Sequence, residues 1–317
     1  GNGMTETTNP PVPFTVIGGF LGAGKTTLMN NLLAEPSGVR YAVLVNDFGE
    51  LNIDESLIRA HDGETLSLTN GCVCCSISDD FISTIINLMQ RAEEFDQIVI
   101  EASGVSEPAR IMDIARLDPD LIPNGTIVLV DAAEVRSHFE DRYVGNVVME
   151  QLKTADLLIV NKTDLVEEEE LIRLETWLEE VAPSVARLKT SGAKVALPVI
   201  FGELRNSESI NSSFSQNVHT PFSSIALQAT VPVERTAFEH WKDQLPSTVI
   251  RGKGVLSFKD NPETVWIWQK VGRSETLKSM KSIKIKISGN SKVSLIGTKE
   301  MPLVSKIGYP EGFVPTL

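Results

Sequence analysis

Cys72, Cys74 and Cys75 sit together in the stretch NGCVCCSIS, and the 317-residue chain has no other cysteine. Thiolates are soft ligands that suit Zn²⁺, Cu(I) and other thiophilic ions. In an extended segment Cys72 and Cys74 share a face, and Cys75 points elsewhere unless the backbone turns. The segment therefore offers two or three thiolates, and a closed four-cysteine site is impossible. A further ligand has to come from another segment, from water or from a partner. An odd count with two adjacent members argues against a disulfide framework and for reduced thiols in a cytoplasmic protein. Spacing alone leaves two other uses open. One is buried thiols that only pack; the other is redox chemistry, although C-x-C is not the C-x-x-C of thioredoxin-like folds.

A second constellation handles phosphate. GGFLGAGKTTL contains Gly19-x-x-x-x-Gly24-Lys25-Thr26. Glycines let such a loop curl so that backbone N–H groups, here from Gly19, Gly22, Ala23, Gly24, Thr26 and Thr27, face phosphate oxygens. The following helix turns its positive end to the same anions. Lys25 is expected to reach the β- and γ-phosphates, and the Thr26 hydroxyl to bind Mg²⁺.

The base and the catalytic acids have their own signals. Asn161-Lys162-x-Asp164 follows an apolar run and matches the guanine-reading pattern of GTPases. A carboxylate accepts both hydrogens guanine offers at N1 and N2, and adenine would leave that acceptor unpaired, which favours GTP and GDP as ligands. Glu101 ends another apolar run and Gly104 follows three residues later, where regulatory GTPases have D-x-x-G. The Gly104 N–H is placed to touch the γ-phosphate, while Glu101 holds Mg²⁺ through water or orients the attacking water. NDFGE at 46–50 adds Asp47 and Glu50 where a switch segment would sit, as candidate catalytic or metal-binding acids. No arginine occupies an obvious finger position, so slow basal hydrolysis is expected.

The elements needed to position these residues are legible. Apolar runs at 14–19, 41–47, 97–103, 126–132 and 157–164 read as strands buried on both faces of a parallel sheet, with one more at 186–190. Helical patterns cover 23–35, 78–94, 141–154 and 167–181, and the alternation predicts a doubly wound α/β P-loop domain over 10–204. A polar Ser/Asn-rich stretch, 205–221, reads as a linker. Residues 222–317 predict a smaller α+β domain: a strand at 223–233, a helix near 234–245, strands GVLSF and TVWIWQKV, and alternating strands SIKIKIS and KVSLIG. Trp266 and Trp268 alternate and so share one sheet face, either a covered core face or a docking patch.

The net charge of −13 and pI near 4.9 make nucleic acid a poor partner. No apolar run reaches membrane-spanning length, and the first residues lack an apolar signal segment, so neither membrane nor secretion is expected. Gly1–Gly3 ahead of Met4 read as a cloning remnant. His138 and His219 are weak candidate ligands; a solvated role is the default for each. The run Glu167–Glu170 complements a helix dipole.

Together GGFLGAGKTTL, NDFGE, TNGCVCCSI, EASGVSEP, VLVDA and QLKTADLLIVNKTDL resemble the CobW-type P-loop GTPases, a metallochaperone group related to the urease and hydrogenase accessory GTPases. The resemblance covers about residues 14–190. It implies GTP hydrolysis coupled to holding a transition metal, Zn²⁺ or in some members Co²⁺, at Cys72, Cys74 and Cys75, and handing it to a client metalloprotein. Two departures are visible. Val45 stands where many members carry an acid before the Asn, and the chain has no histidine-rich tract. The competing expectation is a nucleotide-gated assembly factor, for a metalloenzyme or a cobalamin pathway, whose cysteine loop is structural. The metal, the client and the oligomeric state are not specified by the sequence.

Overall fold

Strands that read as unbroken apolar runs must be covered on both faces. The computed structural model describes residues 11–35, 37–45, 58–59, 65–67, 73–76, 81–202, 222–280 and 289–316, with backbone alone at 58–59, 65–67, 73–76 and 81. Strands β1 (Val12–Gly18), β2 (Tyr41–Val45), β6 (Gln97–Glu101), β7 (Leu121–Asp131) and β8 (Leu157–Asn161) are buried almost throughout. With β3 (Ile58–Arg59), β4 (Thr65–Ser67), β5 (Val73–Ser76) and β9 (Ala186–Lys189) they form one sheet ordered β3-β4-β5-β2-β6-β1-β7-β8-β9. From β5 to β9 every pairing is parallel; β3 and β4 add an antiparallel edge.

Helices α1 (Lys25–Ala34), α2 (Phe81–Met89), α3 (Pro108–Leu117), α4 (Val135–Glu140), α5 (Gly145–Thr154), α6 (Glu168–Val181) and α7 (Leu197–Phe201) complete this unit. Helix α1 buries Leu28, Met29 and Leu32. Helix α3 starts on Pro108, whose fixed φ and missing N–H suit the first helical position. One core includes Phe14, Leu44, Ile98, Ile100 and Met112, and a second gathers Val128, Val148, Leu152, Leu158, Leu174 and Leu178; the register of β1 with β7 puts the strand residues of both on the same face of the sheet.

A second compact unit lies within Pro221–Leu317. Strands β10 (Phe222–Ala229), β11 (Val249–Phe258), β12 (Asn261–Val271), β13 (Ser274–Met280), β14 (Ser291–Thr298) and β15 (Val314–Pro315) form an antiparallel sheet ordered β13-β12-β11-β14-β10-β15. Helix α8 (Arg235–Asp243) lays Phe238 and Trp241 on it. Trp268 is fully buried, meets Phe238 edge-on at 5.3 Å and donates from Nε1 to Glu275 at 2.9 Å. Trp266 is partly buried against the same core and lies under the Arg235 guanidinium at 4.2 Å, so the tryptophan face is a covered one.

The α/β fold with a smaller C-terminal α+β unit is the one expected. Helices α3, α4 and α7, the β3-β4 edge and β13 were not anticipated. Of the helix expected over 78–94, the described residues form a helix over Phe81–Met89 followed by a 3-10 turn at Ala92–Glu94. Asp47, Glu50, Cys72, His219, the stretch 205–221 and SIKIKIS all lie outside the described residues. No helix among the described residues is long and apolar enough to cross a membrane.

Candidate functional site

Parallel strands bring the loops that follow their C-terminal ends to one edge of the sheet, where doubly wound proteins bind ligands. Here that edge collects the glycine loop after β1, Glu101–Ser106 after β6, Asp131 after β7, Asn161–Asp164 after β8 and Thr190–Lys194 after β9.

Gly24 closes the glycine loop at φ 111°, and a Cβ there would sit 2.3 Å from Asn161 Nδ2. Only glycine supplies both the left-handed backbone and the space. Lys25, 8% exposed at the start of α1, donates from Nζ to Gly19 O at 2.5 Å, so its ammonium lies within the loop it would share with phosphates. Thr26 Oγ1 lies 3.4 Å from Glu101 Oε1, joining a hydroxyl and a carboxylate from segments 75 residues apart. Such oxygen donors fit a hard divalent cation such as Mg²⁺. Gly22 and Thr27 are on the open side of the loop, while Ala23 is buried.

Asn161 is 2% exposed and works in two directions. Its Nδ2 donates to Ala23 O at 2.9 Å, and its Oδ1 accepts from the Ala193 backbone N–H at 2.9 Å. Lys162 adopts a left-handed φ of 62°, donates to Gly22 O and pairs with Asp131 Oδ2 at 3.2 Å. The Asp164 carboxylate is exposed on a 3-10 turn, Thr163–Leu165, at the mouth of this loop. Both nearby polar anchors escaped the sequence reading. Asp131 ends the run VLVDA, where nothing in its spacing sets it apart. The loop Thr190–Lys194 acts mainly through its backbone: Asn31 Nδ2 donates to Gly192 O and Ala193 O at 3.0 Å, and the Thr163 hydroxyl donates to Thr190 O at 3.0 Å. A Ser-Gly-Ala turn was the only available signal.

His138 packs against Phe20 of the glycine loop, with ring centroids 4.6 Å apart and the planes tilted by 58°. That is a packing contact at the nucleotide edge. Of the cysteines, Cys74 and Cys75 fall on β5, where their backbones pair with Val43 and Leu44 of β2 and with Leu66 and Thr65 of β4. Across the sheet Leu44 pairs with Ile100, the residue before Glu101. The cysteine strand thus ends two strands from Glu101 at the same sheet edge, roughly 10 Å away at about 4.8 Å per strand. Among the described residues no cluster of three or more His, Cys, Asp or Glu side chains forms a metal site.

A glycine phosphate loop at the tip of a central parallel strand, tied to a late-strand Asn-Lys pair, defines a P-loop nucleotide-binding protein. More narrowly, the chain belongs to the CobW/HypB/UreG family: residues 13–189 match that family's nucleotide-binding domain, and residues 222–300 match the cobalamin synthesis protein cobW C-terminal domain. A zinc chaperone CobW from a Sinorhizobium species is 31% identical over 223 residues, covering 60% of this chain and 62% of that protein. The zinc chaperone YjiA of Escherichia coli K12 is 34% identical over 168 residues, 50% of this chain and 52% of the relative. The zinc-regulated GTPase metalloprotein activator 1 of Schizosaccharomyces pombe is 35% identical over 176 residues, 52% of this chain and 42% of the relative. The matched stretches thus span about half of these relatives. The crystal structure of Zn(II)-bound YjiA GTPase from E. coli covers 94% of this chain and 97% of its own, with a TM-score of 0.50 and 24% identity, a likeness of fold.

Proposed function

We propose that this protein is a slow GTPase that binds a transition metal, zinc in the first place and cobalt in the second, at Cys72, Cys74 and Cys75, and passes it to a client metalloprotein in the cytoplasm as GTP is turned over to GDP. The observation that carries this reading is the register β5-β2-β6, in which the cysteine strand lies two strands from the one ending in Glu101, with β2 between them and all three parallel. Membership of the family, and relatives named zinc chaperones, support the choice of metal.

The proposed roles follow from chemistry. Backbone N–H groups of Gly19–Thr27 cradle the phosphates, and Lys25 leaves Gly19 O to neutralise the β- and γ-oxygens. Asp164 reads the guanine N1 and N2 hydrogens while Asn161 and Lys162 brace the loops around the base. Thr26 and Glu101 would hold Mg²⁺, which when bound offsets charge on the transferring phosphoryl group. Glu101 and the Gly104 N–H face the γ-phosphate end. Asp47 and Glu50 sit in the segment between β2 and the cysteine strand, as candidate metal or water ligands that respond to that phosphate.

If one set of segments feels both ligands, coupling must be reciprocal: zinc changes GTP affinity by the factor by which GTP changes zinc affinity. Elemental analysis and zinc titration of the purified protein, with and without GTP–Mg²⁺, test this. Replacing all three cysteines with serine is expected to abolish stoichiometric zinc and spare GTP hydrolysis. Unchanged zinc content would defeat the carrier reading in favour of a structural cysteine loop. A basal rate in the fast-enzyme range of roughly 10 per second would contradict slow turnover.

A further inference from the structure

Gln151 lies in the middle of α5 and is 2% exposed, an unusual place for a carboxamide unless it has work to do. Its Nε2 donates to Gly104 O at 3.0 Å and to Ser106 O at 3.1 Å, so both amide hydrogens go to the loop after Glu101. That loop is already folded on itself. The Ser106 N–H and hydroxyl both donate to Ser103 O, at 3.1 and 2.7 Å, and the Val105 N–H donates to Ser103 Oγ at 3.3 Å. It also presses on the glycine loop: a Cβ on Gly104 would lie 2.9 Å from the backbone N of Leu21 and 2.8 Å from its Cδ2. The loop's internal bonds set its shape. Gln151 fixes where that shape sits, because it alone of these contacts reaches from another helix into the loop's carbonyls.

We infer that Gln151 is a positioning residue for the γ-phosphate: it holds the Gly104 turn against the glycine loop, so that the Gly104 N–H and, three residues earlier, Glu101 are in place before GTP binds. The inference rests on the proposed γ-phosphate role of Gly104. The Gly104 N–H shares its peptide plane with Ser103 O, which Ser106 holds, and Gln151 pins the next plane at Gly104 O and the Ser106 carbonyl beyond it. With the planes on both sides of the Gly104 Cα held, a γ-phosphate entering this site meets a prepared donor and does not have to order one. GDP has no γ-phosphate and gains nothing from the clamp.

The test compares GDP with a non-hydrolysable GTP analogue, both with Mg²⁺, on the full chain. Gln151→Met keeps the length and removes both donated hydrogen bonds. It is expected to bind GDP within about twofold of wild type while losing about tenfold in affinity for the analogue and a similar factor in kcat. Gln151→Glu, which points acceptors at two carbonyls, is expected to do the same more severely. If it does not fold, as judged by circular dichroism, the methionine variant decides. Unchanged analogue affinity, or equal losses for both nucleotides, would overturn the proposal, because a merely structural residue lowers the two together. Gly104→Ala separates the two layers. If it loses selectivity for the analogue while Gln151→Met retains it, only the positioning role falls. If both retain it, the γ-phosphate reading of Gly104 falls as well.

Discussion

Asn161 shows how much a single buried amide can hold. One end is bonded to Ala23 in the glycine loop and the other to Ala193 in the loop after β9. Truncation leaves a buried carbonyl and a buried N–H without their partner, at about 1–3 kcal/mol each. Asn161→Ala is therefore expected to lower unfolding free energy by about 2–6 kcal/mol and weaken GDP at least tenfold, read by urea denaturation and nucleotide titration. Asp164 makes a different prediction because it is exposed and its proposed task is chemical. A carboxylate matches two donors. A carboxamide matches one donor and one acceptor, which is what xanthine presents at N1 and C2. Asp164→Asn is expected to lose GTP by on the order of a hundredfold and gain xanthosine triphosphate. Undiminished GTP affinity would remove Asp164 from the base site.

At the scale of elements, the acidic start of α6 does more than complement a dipole. Glu170 pairs with Arg173 on its own helix at 2.5 Å and with Arg136 on α4 at 2.9 Å. The Arg173 hydrogen bond and charge, then the Arg136 hydrogen bond, hold its carboxyl below the usual glutamate range. A carboxylate depressed in the folded state adds stability above its unfolded pKa and loses it as pH falls through the folded value. Glu170→Gln is thus expected to be less stable than wild type at neutral pH, with the gap closing on acidification below the ordinary glutamate range. Equal denaturation midpoints at pH 7 would mean the bridge is only a surface contact. The same scale explains what could be read in advance. Strands β1, β2, β6, β7 and β8 announced themselves because parallel burial demands apolar runs. Helices α4 and α7 span less than two turns, too short for a period to show. The sequence marked the glycine loop and the Asn-Lys pair, whose work needs particular side chains. It could not mark Thr190–Lys194, whose work is done mainly by backbone atoms, or Gln151, whose value lies in where α5 sits. The nearness of the cysteine strand to Glu101 is a matter of sheet order, which local pattern does not carry.

At the scale of the whole molecule, the two units have cores of different construction. The nucleotide unit is stabilised mainly by aliphatic side chains packed on a largely parallel sheet, the C-terminal unit by an aromatic cluster of Phe238, Trp241, Phe258 and Trp268. Gly252 leaves room for that cluster, since a Cβ there would lie 2.3 Å from Trp268 Cη2. Removing Trp268 therefore empties a site shaped around it, and Trp→Ala changes of this kind cost about 3–5 kcal/mol. Nucleotide acts elsewhere, stabilising only what binds it, by about 2.7 kcal/mol at a hundredfold excess over Kd. Calorimetry is thus expected to resolve two transitions: GDP–Mg²⁺ raises one, and Trp268→Ala lowers the other without moving the first. A single transition shifted by both would mean that the units unfold together, and that a client gripping the C-terminal unit could be felt at the nucleotide through stability alone.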